Sequence, residues 1–162
     1  MSFTPQTNNA SNKQAIKIIA SVFSGDGKVG DFGWMITQPE YAKTFFIFND
    51  NVSQFKIHQD HPSDPSGCSI GGGNAIIRPY QCKTPPQAGG IPTGPSFIGL
   101  TPEVKQMIDT AIQAIKKGIQ SGGYDCVAYS SNGHGGLGTS IFKVPQDVKT
   151  YIVAQINTLS NF

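Results

Sequence analysis

The chain has 162 residues, with 19 glycines, 11 prolines, 12 basic and 10 acidic side chains, and a net charge of +2. Charged residues make up 14% of it, against about 25% in an average soluble protein, which excludes a coiled coil, a charged disordered tail and a salt-bridged helical bundle. The near-neutral balance offers no footprint for nonspecific nucleic-acid binding.

In chain order, residues 1–13 read as a polar, frayed tail without an apolar signal segment. Residues 14–162 have the length of one α/β domain that needs no metal or disulfide staple. Ala15 to Phe23 reads as a strand stopped by Gly25-Asp26-Gly27. Trp34 to Thr37 is a short second strand candidate. Thr44 to Phe48 (TFFIF) is a dense apolar run, suited to a strand buried on both faces of a parallel sheet. Ser53 to Ile70 is polar and proline-containing and reads as a long loop. Gly71-Gly72-Gly73 follows, opening a short helix that Pro79 would end or kink. Ala88 to Thr93 reads as another short strand.

The clearest helix spans Pro102 to Gln120. Thr101 is placed as N-cap, Pro102 at the first helical position, and Val104, Met107, Ile108, Ala111, Ile112, Ile115 and Ile119 fall on one face. Gly122-Gly123 ends it. Tyr124 to Tyr129 reads as a strand, Ser130 to Thr139 as a glycine-rich loop, and Gln146 to Leu159 as a closing helix. The alternation predicts a single α/β domain with a mixed, mostly parallel sheet flanked by helices, and ligands at the C-terminal ends of its strands.

Two glycine clusters carry the functional signal. In GCSIGGGNA, Gly71, Gly72 and Gly73 precede a helix start, where backbone amides and the helix dipole favour an anion. Asn74 and Arg78, the only arginine, follow; Arg78 reads equally as a phosphate contact or as half of a surface ion pair. The second cluster is Ser130, Ser131, Asn132, Gly133, His134, Gly135, Gly136, Leu137, Gly138 and Thr139. Its G-x-G-x-x-G lacks the following βαβ unit of a dinucleotide fold, and no G-K-[ST] makes it a P-loop. Both clusters read alternatively as tight turns.

His134 is the acid–base candidate of the second loop. His58, Asp60, His61, Asp64 and Cys68 read as a solvated loop, a metal there remaining open. Cys126 reads as core, Ser130 and Ser131 lack a G-x-S-x-G context, and the three cysteines suggest neither a disulfide framework nor a zinc ribbon.

The segments TFFIFNDN, GGGNAIIR, AGGIPTG and GLGTSIF resemble an uncharacterised family of phage and bacterial proteins. That family carries a phenylalanine-glycine-aspartate-asparagine turn, a GG-x-A-x-x-R segment and a G-I-P-T-K segment. Asn49 stands where the family has glycine, Gly94 where it has lysine, and residues 53–70 form a longer loop. The order of N-x-N, GGG-x-A-I, strand, helix, strand and S-x-x-G-x-G loop is more broadly similar to macrodomains, α/β modules that bind ADP-ribose and in some cases hydrolyse its derivatives. That resemblance implies that Asn49 and Asn51 face the distal ribose, with Asp50 between them among the ligand-binding residues, that the two glycine clusters hold the diphosphate, and that Asp26 or Asp31 is the candidate for the base. Asn51 and His134 would be catalytic in a hydrolase.

The expected ligand is therefore a small nucleotide or ADP-ribose-type molecule, with no cofactor, nucleic acid or membrane partner. The setting would be cytoplasmic, in the host cell if phage-encoded. A binder of nucleotide signals without catalysis and a structural phage protein are the alternatives.

Overall fold

The computed structural model describes residues 15–162; the predicted tail at 1–13 lies outside the described residues. Four parallel strands form one sheet in the order β1-β4-β2-β3: β1 (Lys17–Ser21), β2 (Thr44–Asn51), β3 (Ala88–Gly94) and β4 (Cys126–Ser130). The chain is thus an α/β domain, and its sheet is parallel throughout rather than mixed.

The run TFFIF explains why β2 is central. Phe45 and Ile47 enter one apolar cluster and Phe46 and Phe48 the other. Alternate side chains of a strand point to opposite faces, so a continuous apolar run needs cover on both. On the Phe45 face the cover is α3 (Pro102–Gly122) and α4 (Gln146–Asn157), with Phe55 from α2 (Val52–Asp60). On the Phe46 face it is the single turn α1 (Phe32–Met35) and a 3-10 segment over Gly73–Cys82.

The predicted long helix is α3. Thr101 caps it by accepting from Val104 N at 3.2 Å, and Gly123 ends it in the left-handed region at φ 64°. Gly118 lets α3 approach the sheet, since a Cβ there would lie 2.8 Å from the Phe45 ring. Tyr151 of α4 donates to Asp109 of α3, which also pairs with Lys105 at 3.1 Å.

Three expectations are corrected. Trp34 to Thr37 is not a strand: Asp31 accepts from both Gly27 N and Trp34 N and starts the turn α1 instead. Ser53 to Ile70 is not a continuous loop: its first part is α2, started by Asn51, whose side chain accepts from Gln54 N. The cysteines do pair: Cys68 and Cys82 form a disulfide and Cys126 is free. Among the described residues no helix is long and apolar enough to cross a membrane.

Ile108 has no exposed surface on the face that α3 lays on the sheet. Ile108→Ala should lower unfolding free energy by about 2–5 kcal/mol through lost burial and a residual cavity, checked by urea titration followed by circular dichroism.

Candidate functional site

Strands β2 and β4 pair only over Thr44–Phe46 with Cys126–Ala128. Their C-terminal halves have no further mutual pairing, and the segments singled out in the sequence gather there. Three hydrogen bonds join them. Asn49 Nδ2 donates to Gly138 O at 2.8 Å, tying β2 to the second glycine loop. Asn74 Nδ2 donates to Ser130 Oγ at 2.9 Å, tying the first glycine cluster to β4. Arg78 Nη2 donates to Asp50 Oδ1 at 2.6 Å, tying the same cluster to β2.

The Arg78–Asp50 pair is buried, with side chains 3% and 1% exposed. Arg78 Nη1 also donates to Ser69 O at 2.9 Å, and Asp50 Oδ1 accepts from Asn51 N at 2.8 Å. The guanidinium lies 5.9 Å from the centre of the Phe48 ring. Asp50 Oδ2 and Arg78 Nε have no hydrogen-bond partner among the described residues. Arg78 has the carboxylate partner of the ion-pair reading, but the pair is buried rather than at the surface.

Most polar residues of the expected site are engaged with the protein itself. Asn74 Oδ1 accepts from Phe32 N at 3.0 Å, fixing α1 to the 3-10 segment. Asn51 Oδ1 accepts from Gln54 N and Ser53 Oγ. In the second loop, Ser131 Oγ accepts from Gly133 N, and Asn132 Oδ1 accepts from His134 N and Gly136 N. Gly138 N donates to Ser130 O. Leu137 is 3% exposed and plugs the loop into the core. The amides of Gly133, His134, Gly136 and Gly138 thus already have acceptors inside the loop. Thr139 Oγ1 donates to Phe142 O, closing the next turn.

The glycines sort by cause. Gly73, Gly133 and Gly135 have φ of 57°, 83° and 81°, where side chains are strained. A Cβ at Gly71 would sit 2.7 Å from Arg78 Nη1, one at Gly136 2.6 Å from Asn132 Nδ2, and one at Gly138 2.9 Å from Ser131 O. Gly72 has neither reason. Its φ is −79°, it is exposed, and a Cβ there would meet nothing within 4 Å.

His134 is exposed, and its ring makes none of the hydrogen bonds described. Asp31 is fully engaged as the cap of α1, and Asp26 is exposed in the preceding turn. Among the described residues no group of three or more His, Cys, Asp or Glu side chains is placed to hold a metal ion. Composition did not reveal the apolar rim. Every exposed large hydrophobic among the described residues lies in segments bordering these strand ends: Val22, Phe23 and Val29 after β1, Ile70 and Ile76 around the first cluster, Ile98 after β3, and Ile141 and Phe142 after the second loop. The described cavity, about 90 Å³, lies elsewhere, between α2, α3 and β3, and none of the expected site residues lines it.

No protein-family model matches the chain, and no curated protein and no solved structure matches it.

Removing one partner of a buried ion pair leaves the other charge uncompensated. Arg78→Met should therefore destabilise the domain by about 3–5 kcal/mol, and the double replacement Asp50→Leu/Arg78→Met should recover a large part of that loss. Urea unfolding of the single and double variants checks both outcomes.

Proposed function

We propose that the C-terminal crest of the sheet binds a nucleotide or ADP-ribose-type ligand, held over Gly72 and between the two glycine segments. The observation that carries this reading is Gly72 itself, a glycine with ordinary backbone angles and open space where a side chain would stand. Inside a folded chain such a glycine loses entropy without conformational need. Close approach of a ligand to the backbone supplies the missing reason.

Other features support the reading. The crest lies at the C-terminal ends of parallel strands, the usual ligand position in α/β sheets. Gly72 precedes a helical segment, and Ile70 and Ile76 on either side are exposed. The rim of Phe23, Ile141 and Phe142 offers apolar surface to a flat base. The macrodomain-like order of segments names the ligand class. Binding without turnover is the form favoured, because the His134 ring has no orienting hydrogen bond and Asn51 is engaged as a helix cap.

Gly72→Val tests it. Its stability should stay within about 1 kcal/mol of wild type, because the site is open and the backbone angles are ordinary. Titration calorimetry with ADP-ribose and with mononucleotides should show binding by wild type and loss of at least about tenfold in affinity for the variant, equal to 1.4 kcal/mol. Equal binding by both proteins, or no binding of any of these ligands by wild type, would overturn the proposal.

A further inference from the structure

We infer that Cys68–Cys82 is a reversible thiol–disulfide site, opened by an external dithiol and re-formed with His58 as proton acceptor, whose state sets the mobility of the chain leading to Gly72. The bridge encloses residues 69–81, which include the first glycine cluster, Asn74 and Arg78. A domain of this length buries enough surface to stand without a staple. The bridge is also accessible: Cys82 is exposed and Cys68 half-buried. Exposed disulfides are the ones that exchange, whereas structural bridges resist reduction.

His58 supplies the local chemistry. Its Nδ1 lies 3.9 Å from Cys82 Sγ. Burial lowers the pKa of His58, the Asp50 carboxylate opposing that shift, which favours the neutral imidazole, the form with a ring nitrogen free to accept a proton. The helix carrying His58 packs tightly on the Pro65–Cys68 turn, since a Cβ at Gly67 would lie 3.3 Å from His58 Cα. Gln81 Nε2 donates across the bridge to Gly67 O at 3.1 Å. Cys82 and His58 are therefore held as neighbours by packing that does not depend on the S–S bond.

The exchange balances as follows. A thiolate of the external dithiol attacks Cys68 Sγ, and the S–S electron pair leaves on Cys82 Sγ, which takes up a proton. The second thiolate of the reductant then displaces Cys68 from the mixed disulfide. Two protein thiols and one oxidised dithiol result, the two protons of the reductant ending on the cysteines. In the reverse direction His58 Nδ1 accepts the Cys82 thiol proton, and the thiolate attacks the mixed disulfide at Cys68.

The two sides of the bridge are unequally anchored. The Gly73–Cys82 segment is held by buried Ile77, by the Arg78–Asp50 pair and by Asn74. Residues 61–66 are exposed, and beyond them Gly67 is buried but Ser69 and Ile70 are exposed. Opening the bridge thus leaves residues 61–72 held by non-covalent contacts alone, chiefly Gly67 O on Gln81 Nε2 and Ser69 O on Arg78 Nη1, and raises their mobility while the sheet stays folded. The inference rests on the preceding reading only in that the loosened chain ends at Gly72. Its readouts contain no ligand, so the failure of either is distinguishable.

Wild-type protein is treated with dithiothreitol at pH 7 without denaturant, then alkylated and mapped by mass spectrometry. Cys68 and Cys82 should both become alkylated while the circular dichroism spectrum is retained. Amide exchange should rise by at least about tenfold in residues 61–72 and stay unchanged in the strands. In His58→Ala, re-oxidation by glutathione disulfide should slow by at least about tenfold at pH 7. A Cys68→Ser/Cys82→Ser variant should show the exchange pattern of the reduced protein. Resistance of the bridge until global unfolding, loss of the whole fold on reduction, or an unchanged re-oxidation rate in His58→Ala would overturn the inference.

Discussion

The buried Arg78–Asp50 ion pair is the contact around which the C-terminal crest is built. A guanidinium and a carboxylate inside an apolar core are tolerated only with close geometry and further hydrogen bonds, and the neighbouring sequence is shaped to provide both. Ser69 O and Asn51 N supply two of those hydrogen bonds, while Asp50 Oδ2 and Arg78 Nε have no partner among the described residues. Gly71 and Gly90 flank it: a Cβ at Gly71 would lie 2.7 Å from Arg78 Nη1, and one at Gly90 2.9 Å from Asp50 Oδ2. Glycines in two separate segments are thus demanded by one ion pair. The pairing of β2 with β3 also shifts register between Asp50 and Asn51, where the strand gives way to α2.

With that pair in place, the other crest contacts follow from proximity. Asn74 bridges the first glycine cluster to α1 and β4, and Asn49 bridges β2 to the second loop. Each of these side chains is engaged with the protein, which changes what the crest has left to offer a ligand. On the proposed reading, what is left for a ligand is open backbone at Gly72 and the exposed apolar residues around the strand ends, with the charged pair as support. This accords with a chain in which charge is scarce, because an apolar rim and backbone groups contact a ligand without lysines at the surface.

The sheet and α3 were legible from sequence because their signals are local. TFFIF is too apolar for one-sided burial, and the 102–120 region combines an N-cap, a proline at the first position and a regular apolar stripe. The convergence of the glycine segments was legible in order, though not in detail. Helix α2 was missed because Phe55 alone of its nine residues is buried, so it shows no apolar periodicity. The turn at Phe32–Met35 was misread because its apolar residues suggest a strand, while the deciding signal is the Asp31 carboxylate accepting from amides on both sides. The disulfide was missed because two cysteines 14 residues apart declare themselves only when the intervening chain is folded back.

Glycine abundance shows how structure sharpens a compositional signal. A cluster of glycines next to a strand end has three physical explanations: positive φ, close packing by the protein, or close packing by something else. The first explains Gly73, Gly133 and Gly135, and the second explains Gly71, Gly136 and Gly138. Subtracting those removes the second loop's glycines as independent signs of a ligand, although the loop's sequence is the more suggestive of the two. What survives is one position in the plainer cluster. Gly72 stands apart because the surrounding protein would accept a side chain there, and the proposed ligand contact would account for its being bare.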